Sequence, residues 1–397
     1  MPHRFAALWR SLAPIGATPQ GYQRGSWSAA DLACREWFEE EAADRGLTVE
    51  TDGNGNMWAW HGDPAGGDAV VTGSHFDSVP DGGGYDGALG IVSAFLALDL
   101  LAERRVAPRR PIGVVAFTEE EGARFGVACL GSRLLTGAVD PDRAADLRDR
   151  DGVTLAEAMR LAARDPATLG PDPLRLGRIG AFVELHIEQG RALTAPVGVA
   201  TAIWPHGRWR LCFTGTGNHA GTTRMADRHD PMLTFAFAVL AANKEARLRG
   251  ALATVGRVAV EPNATNAIPT SVTAWLDARA PDQSTLDGLV EAIGTKVAER
   301  AARDGTTVTL SAESRSPLTE FDTALRDRIA ALLGDVPVLP TGAGHDAGVL
   351  AAHVPSAMLF VRNPTGVSHA PAESAADADC AVGVAALAAV LEELACR

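Results

Sequence analysis

The first half of the chain alternates between amphipathic and continuously apolar segments, a pattern typical of an α/β layer. Residues 27–46 have helical periodicity and end at a glycine, and a second helix is predicted from Ala88 to about Arg104. Short apolar runs at 68–73, 111–117 and 180–185 are each typical of a buried strand. This order predicts an α/β domain with a mixed, mostly parallel sheet, in which sites collect at the carboxyl ends of strands.

The pattern changes after residue 202. Four strands and two helices are predicted in the order βαββαβ, at residues 209–214, 231–249, 253–260, 270–280, 283–304 and 306–311. That order predicts a ferredoxin-like α+β domain over 203–313. It would be inserted between the two parts of a catalytic domain, 1–202 and 314–397.

Size and composition narrow the class of protein. With 397 residues the chain is too long for one ordinary core, so two domains are expected. The net charge of −13 argues against a nucleic-acid partner, and the longest apolar stretch, 88–101, is too short and too polar to span a membrane. Five scattered cysteines without a CxxC pair predict free thiols in a reducing compartment, and hence a cytoplasmic protein.

Five residues of types that bind divalent metals stand in four short segments. They are His75 and Asp86 in GSHFDSVPDGGGYDG, Glu121 in AFTEEEGARFG, His186 in ELHIEQG and His369 in GVSHAPAE. Imidazole and carboxylate ligands suit Zn²⁺, Mn²⁺ or Co²⁺, and two such cations close together can activate water for attack on an amide. The segments together therefore predict a two-metal hydrolase.

Three carboxylates have more particular expected roles. Asp86 follows a glycine-rich turn, where the backbone can bring its carboxylate between two metals. Asp77 lies two residues after His75 and could accept a hydrogen bond from the second imidazole nitrogen, as carboxylates behind a metal ligand do. Glu120, directly before Glu121, is placed to act as a general base.

Each segment alone also has a simpler explanation. A lone His-x-Asp is more often part of a surface loop, and consecutive glutamates at a helix start are usually a solvated acidic face. His186 alone would more often be a hydrogen-bonded core histidine, whereas the loop around His369 favours a ligand. The occurrence of all four segments in this order decides for the catalytic interpretation.

These segments resemble the motifs of the M20 metallopeptidase-like amidohydrolases, in the branch of allantoate amidohydrolases, N-carbamoyl-L-amino acid hydrolases and β-ureidopropionases. The resemblance runs from GSHFDSV to SHAPAE and covers nearly the whole chain. It implies a zinc-peptidase-like catalytic domain that binds two divalent metals, with Zn²⁺ or Mn²⁺ as the first candidates and Co²⁺ as a further one. It also implies that the inserted domain is a dimerisation or lid domain, and hence a homodimer.

The resemblance implies a role for each residue of the metal site. The implied ligands are His75 and His186 for one metal, Glu121 and His369 for the other, and Asp86 for both. Glu120 would be the base that takes a proton from the attacking water and later the acid that gives it to the leaving nitrogen. Asp77 would support this catalytic group.

Six further residues are substrate contacts by resemblance: Gln189, Arg208, His219, Asn266, Arg279 and His345. Arg279 would clamp a substrate carboxylate with its fixed fork, although an arginine near a strand end more often forms a surface ion pair. His219 and Asn266 would hold a developing oxyanion, often across the dimer interface. One residue departs from the family, because Arg224 stands where a proline usually follows NHAGTT.

The branch cleaves a ureido or acyl-amide nitrogen beside a carbon that bears a carboxylate. Arg208, in AIWPHGRWR, matches a position that in allantoate-cleaving members contacts the second polar end of the substrate. This favours allantoate, cleaved to ureidoglycine, ammonia and CO₂. N-carbamoyl- or N-formyl-L-amino acids are the alternative substrates. A dipeptide-cleaving metallopeptidase is less favoured, as is a metal-free binding protein that kept the fold, because every ligand position holds a competent residue.

Overall fold

The computed structural model describes residues 1–334 and 336–397 and divides the chain into two units. The first unit comprises Met1–Ala202 and Glu320–Arg397, and the second comprises Ile203–Thr319. The domain boundary expected at 313 falls inside a strand of the second unit, which continues to Ser316.

The secondary structure of the described residues is as follows in chain order. The strands are β1 (Ala17–Thr18), β2 (Gly21–Tyr22), β3 (Thr48–Thr51), β4 (Met57–His61), β5 (Ala69–His75), β6 (Ile112–Phe117), β7 (Ile179–Ile187), β8 (Val197–Ile203), β9 (His206–Thr214), β10 (Asn218–His219), β11 (Leu252–Glu261), β12 (Ala267–Ile268), β13 (Ser271–Arg279), β14 (Thr307–Ser316), β15 (Thr319–Glu320), β16 (Val338–Thr341) and β17 (Ser356–Val361). The α-helices are α1 (Pro2–Leu12), α2 (Ala29–Asp44), α3 (Ala88–Glu103), α4 (Leu130–Thr136), α5 (Pro141–Ala145), α6 (Leu155–Leu161), α7 (Pro173–Leu176), α8 (Pro231–Arg249), α9 (Gln283–Asp304), α10 (Thr323–Leu332), α11 (Asp346–Leu350) and α12 (Asp377–Ala395).

A nine-stranded sheet is the centre of the first unit, in the order β15-β8-β17-β7-β5-β6-β4-β3 with β16 beside β8. The four strands β17, β7, β5 and β6 are parallel to one another. On one side β4 and β3 continue the sheet antiparallel, and on the other side β8 pairs antiparallel with β17. The predicted mixed sheet is confirmed, but its parallel part is confined to the four central strands.

The central strands are buried over their whole length, which explains their continuous apolar sequences. Helices α3 and α12 pack against each other and against this sheet, and most of their residues are buried in the same core. In the part of the chain that the structure describes, no helix is long and apolar enough to cross a membrane.

The second unit has an antiparallel four-stranded sheet in the order β11-β13-β9-β14. This is the strand order of a ferredoxin-like βαββαβ unit. Alternate residues of β13 are buried against α8 and α9, as the period of a strand with one covered face requires. A separate two-stranded sheet joins β10 and β12.

Candidate metal centre and substrate-binding residues

The metal-ligand candidates of the first unit lie at the carboxyl ends of four neighbouring parallel strands. β5 ends at His75, and β6 ends two residues before the glutamate triplet 119–121. His186 is the penultimate residue of β7, and β17 leads into the loop of His369. Because parallel strands end at the same edge of a sheet, residues far apart in sequence meet there.

Asp86 lies between two buried histidines. Its Oδ1 is 3.1 Å from Nε2 of His186 and 3.6 Å from Nε2 of His75. Each ring directs Nδ1 to a backbone carbonyl, that of Asp77 at 2.9 Å and that of Ile187 at 2.8 Å. In the neutral rings this places the proton on Nδ1, so that the Nε2 lone pairs face a carboxylate oxygen. A cation bound between the two Nε2 atoms and Oδ1 of Asp86 would remove the repulsion between their lone pairs.

The second oxygen of Asp86 faces another cluster. His369 Nε2 lies 3.3 Å from Asp86 Oδ2 and 3.3 Å from Glu121 Oε2. In both clusters, His75–Asp86–His186 and Asp86–Glu121–His369, the ligand atoms lie within 4.8 Å of one another. Because Asp86 supplies one oxygen to each cluster, the arrangement suits two cations bridged by one carboxylate.

Unpartnered polar atoms also fit a metal centre. Among the described residues, buried Nε2 of His75 and buried Oε1 of Glu121 have no hydrogen-bond partner. Buried polar atoms are normally paired, so an orphaned imidazole nitrogen and carboxylate oxygen in the two clusters are what a site that can hold cations would present. The donor set of imidazole nitrogen and carboxylate oxygen is the one that Zn²⁺ and Mn²⁺ accept.

Burial and mutual charge shift the pKa values of the site. Burial, reinforced by Asp86, raises the pKa of Glu121 to about 7, and burial raises that of Glu120 well above its usual range. For Asp86 burial acts in the opposite direction to the histidine hydrogen bonds, which hold its pKa well below the usual range. A hydrogen bond with Asp86 raises the pKa of His369 to about 9. So many buried carboxylates require compensating positive charge, from protons or from metals.

Glu120 is held beside the first cluster. Its Oε2 lies 3.6 Å from His75 Nε2, and the residue is only 6% exposed. The thiol of Cys129 donates to its Oε1 at 3.4 Å, and the N–H of Cys129 donates to its carbonyl at 2.6 Å. A carboxylate fixed in this way, next to a metal-ligand candidate, has the placement that a general base needs.

Asp77 has a different arrangement from the expected one. The partner of His75 Nδ1 is the backbone carbonyl of Asp77, whereas the nearest carboxylate oxygen is 3.6 Å away. The carboxylate instead accepts the N–H groups of Glu120 at 3.1 Å and Glu121 at 3.0 Å. These two N–H groups lie beyond the end of β6 and have no partner strand among the described residues. The carboxylate of Asp77 accepts their hydrogen bonds instead.

A glycine allows the turn of Asp86 to approach the first cluster. Gly87 has a φ of 69°, and a Cβ on it would lie 2.5 Å from the ring of His75. Only glycine adopts this positive φ at low cost and leaves room for the ring of His75.

Two predicted substrate contacts of the first unit lie against the ligand candidates. Gln189 donates from Nε2 to Asp86 Oδ2 at 2.8 Å, and its buried Oε1 has no partner among the described residues. The ring of His345 is buried, with its centroid 4.5 Å from that of His186. Burial, together with the neighbouring His186, holds the pKa of His345 well below its usual value.

Three buried carboxylates around the centre were not predicted. Glu373 accepts hydrogen bonds from the backbone of the glycine-rich turn, Glu184 from the hydroxyl of Ser74, and Asp346 from the hydroxyl of Ser132. Each lies within four residues of a predicted site residue, in SHAPAE, ELH and GHD. Their proximity in sequence to predicted site residues could have identified these three carboxylates, but it does not show which group each of them binds.

In the second unit, Arg208 and Arg279 approach the same carboxylate. Arg279 bonds Asp277 through Nε at 2.9 Å and Nη2 at 3.3 Å, and Arg208 Nε lies 3.7 Å from the same side chain. Asp277 is the register partner of Arg208 across β9 and β13. The sheet therefore brings the two predicted arginines together.

His219 and Asn266 are also neighbours, because His219 ends β10 and Asn266 directly precedes its partner strand β12. The carbonyl of Asn266 accepts the N–H of Ala220 at 3.0 Å, and both predicted residues are exposed. Nδ1 of His219 accepts the N–H of Gly221 at 3.0 Å. In the neutral ring the proton is then on Nε2, which makes that atom a hydrogen-bond donor.

Arg224 preserves the backbone of the residue that it replaces in the family pattern. Its φ is −61°, within the range that proline imposes. Its guanidinium pairs with Asp227 at 2.6 and 3.1 Å, and the side chain is 81% exposed. The turn is thus compatible with proline, and the added cation has a local counter-ion.

Comparison with known proteins gives matches over nearly the whole chain. Residues 71–393 match the family model of Peptidase family M20/M25/M40. The chain is 37% identical over 394 residues to N-carbamoyl-L-amino acid amidohydrolase of Geobacillus stearothermophilus, covering 96% of each chain. It is 33% identical over 400 residues to allantoate amidohydrolase of Escherichia coli (strain K12), covering 97% of this chain and 96% of the other.

Solved structures give similar matches. An amidase of the hydantoinase/carbamoylase family from Burkholderia vietnamiensis superimposes with a TM-score of 0.89 and 32% identity, covering 100% of this chain and 98% of the other. AtUAH in complex with (S)-hydroxyglycine superimposes with a TM-score of 0.87 and 29% identity, covering 99% and 97%.

Proposed function

Because the chain belongs to Peptidase family M20/M25/M40, we propose that it is a metal-dependent amidohydrolase that cleaves a non-peptide C–N bond in a linear amide or ureido group. The observation that carries the proposal is that the two carboxylate oxygens of Asp86 face different clusters. Oδ1 faces His186, and Oδ2 faces His369. A binding protein that had lost its metals would have no need for this arrangement of buried lone pairs.

Five residues would hold two divalent cations: His75, Asp86, Glu121, His186 and His369. When bound, Zn²⁺, Mn²⁺ or Co²⁺ would acidify a water molecule and polarise the substrate carbonyl. The backbone carbonyls behind His75 and His186 keep both rings in the tautomer that offers Nε2 as a ligand.

Glu120 would move the proton. It accepts the proton of the attacking water and returns it to the leaving nitrogen, so that the C–N bond breaks to a neutral amine or ammonia. Its burial and its contact with Cys129 support this role, because they leave one carboxylate oxygen directed at the first cluster.

Gln189 and His345 of the first unit would contact the substrate, and the second unit would supply the other substrate contacts. Arg279 would bind the substrate carboxylate, and His219 and Asn266 would donate to the oxygen that becomes negative. The tautomer of His219, with its proton on Nε2, supports a donor role.

Allantoate is the substrate that we favour. It carries one carboxylate and two ureido arms, so Arg279 would bind the carboxylate and Arg208 the second polar end. The two arginines lie close together, since both approach Asp277. Allantoate would yield ureidoglycine, ammonia and CO₂. N-carbamoyl- or N-formyl-L-amino acids are the alternative, supported by the 37% identity to an N-carbamoyl-L-amino acid amidohydrolase.

We also propose that the chain forms a homodimer through its second unit. Helix α8 exposes Leu233, Leu240 and Leu248, by 48%, 71% and 68%. At this spacing the three side chains share one side of the helix, and exposed apolar groups of this kind are typical of interfaces.

The test is hydrolysis by the Mn²⁺-loaded protein. Ammonia release from allantoate is compared with release from N-carbamoyl-L-amino acids, and N-formyl-L-amino acids are followed by their free amine. Turnover that strongly favours allantoate supports the first substrate, and turnover of N-carbamoyl or N-formyl compounds alone assigns the alternative. Protein that binds no stoichiometric divalent metal and cleaves none of these compounds would overturn the enzymatic proposal.

A further inference from the structure

Glu373 lies four residues after His369 and is 5% exposed. Its Oε1 accepts two backbone hydrogen bonds from the glycine-rich turn, from Tyr85 at 2.9 Å and from Asp86 at 3.0 Å. The carboxylate therefore holds the backbone of the shared ligand Asp86, although the two residues are far apart in sequence.

The other oxygen of Glu373 bonds to the loop of His369. The hydroxyl of Ser368, the residue directly before His369, donates to Oε2 at 3.2 Å. Oγ of Ser368 also lies 3.4 Å from Oδ2 of Asp86, the oxygen that faces His369. One buried carboxylate thus ties together the two segments that carry Asp86 and His369.

The glycine-rich turn is shaped around this contact. A Cβ on Gly83 would lie 2.3–2.4 Å from the Glu373 side chain, which includes Oε1 and Cβ. Such distances are far inside van der Waals contact, so any other residue at 83 would displace the carboxylate or the turn. This gives a physical reason for one glycine of DGGGYDG that neither the backbone conformation nor the first cluster requires.

The two clusters differ in how firmly their histidines are held. His75 and His186 lie on central strands and are fully buried. The side chain of His369 is 48% exposed, and its φ of 55° is unusual for a residue other than glycine. A ligand on such a loop depends on neighbouring contacts for its position, and the hydrogen bonds of Glu373 are next to it.

We propose that Glu373 is a positioning residue for the Asp86–Glu121–His369 cluster, and that its loss weakens cation binding there more than at the His75–Asp86–His186 cluster. The inference rests on the proposed function, because it requires that the chain binds two cations. Glu373 itself is not a ligand in this assignment, since both of its oxygens are occupied by donors from the protein.

The test is Zn²⁺ binding by the full chain, measured as bound Zn²⁺ per chain against free Zn²⁺ in equilibrium dialysis. Wild-type protein should bind two Zn²⁺. Glu373→Ala should keep one near wild-type affinity and bind the second about 10–100-fold more weakly, the range typical of a residue behind a metal ligand. Glu373→Gln should restore most of the lost affinity, because its amide oxygen can accept the two N–H groups and its NH₂ can donate to Ser368.

A matched control is Glu188→Ala. Glu188 is also a buried carboxylate that accepts two backbone N–H groups, from Ala192 at 2.6 Å and Leu193 at 3.0 Å, but it does not bond to the turn of Asp86. This variant should leave the ratio of the two Zn²⁺ affinities unchanged. Ser368→Ala removes the hydroxyl that donates to Glu373 Oε2 and lies close to Asp86 Oδ2, and keeps both backbone hydrogen bonds of Glu373. It should weaken the second Zn²⁺, which keeps the test valid if Glu373→Ala does not fold.

The outcomes separate the inference from the proposed function. If wild-type protein binds fewer than two Zn²⁺, the dinuclear assignment fails and the inference fails with it. If wild-type protein binds two and Glu373→Ala or Ser368→Ala does so with unchanged affinities, the inference alone is overturned. Equal weakening of both Zn²⁺ ions in the Glu373 variants would also overturn it, because it would indicate a general loss of structure.

Discussion

Asp77 holds His75 through its backbone and not through its side chain. The carbonyl oxygen of Asp77 is 2.9 Å from Nδ1 of His75, whereas the nearest carboxylate oxygen is 3.6 Å away. The carboxylate accepts the N–H groups of Glu120 and Glu121 instead. The His-x-Asp motif thus has two roles in this fold. The backbone of Asp77 fixes the ring of His75, and its side chain fixes the turn of Glu120, the proposed base.

Asp77→Asn should therefore impair turnover more than binding of the first cation. The variant keeps the backbone acceptor of His75 but can accept with only one oxygen, so one N–H group of the Glu120–Glu121 turn loses its partner. We expect kcat to fall about 10–100-fold, with Zn²⁺ per chain unchanged. Loss of Zn²⁺ in proportion to activity would instead indicate that the carboxylate mainly supports a metal ligand, His75 or Glu121.

Glu120→Gln should bind both cations and lose most turnover. Glutamine is close in size to glutamate but cannot accept and return a proton, and a positioned general base contributes about 10²–10⁴-fold. The comparison uses kcat and Zn²⁺ per chain. Glu119→Gln is the matched control within the same triplet, because Glu119 uses its carboxylate to accept the N–H groups of Arg124 and Phe125. A Glu120→Gln variant as active as Glu119→Gln would remove Glu120 from the role of base.

The sequence pattern predicts the centre of the fold well and its edges poorly. Strands β5, β6 and β7 have continuous apolar sequences because both of their faces are buried, and this signal is local. Helix α1 was not predicted, although Phe5, Trp9 and Leu12 recur at helical spacing and pack against the core. The edge strand β3 was missed as well, because its place depends on the neighbouring strand β4 and not on its own pattern. Strand β8 was also missed, although it lies inside the sheet and nearly all of its residues are buried.

The candidate site was also predicted only in part, in its residues but not in their contacts. The short segments identify the ligand candidates, since residue types that bind metal at the ends of apolar strands are visible in the sequence. The partners of Asp77 and Glu373 are not visible, because each contact joins segments that only the folded chain brings together. Resemblance to a family transfers residue types, but the atom that makes a bond has to be read from the structure.

Arg279→Ala should raise KM for carboxylate substrates and leave the metal content unchanged. A charged hydrogen bond of about 1.5–3 kcal/mol corresponds to roughly a ten- to hundred-fold rise in KM. Arg300→Ala is the control, because Arg300 lies in the same unit and also pairs with a carboxylate, Asp304 at 2.7 Å. KM is measured for allantoate and for one N-carbamoyl-L-amino acid. An unchanged KM in the Arg279 variant would exclude the carboxylate clamp.

The stability of the second unit should depend on acid through Asp282, which begins helix α9. Hydrogen bonds from Ser284 and Thr285 lower the pKa of Asp282 to about 2. The pKa is lower in the folded state than in the unfolded state, so the stabilisation is complete above pH 4 and is lost as the pH falls through about 2.

Two variants isolate this contribution from the other groups that titrate in acid. Asp282→Ala should melt at a lower temperature than the wild type at pH 6, and this difference should begin to narrow as the pH falls from 4 to 3. Asp282→Asn can still accept the N–H of Thr285 but cannot titrate, so the gap between Asp282→Asn and Asp282→Ala should stay constant over the same range. Melting temperatures of the three proteins at each pH give the measurement. If the wild type melts above Asp282→Ala by the same margin from pH 6 to pH 3, the lowered pKa of Asp282 is not the source of the stabilisation.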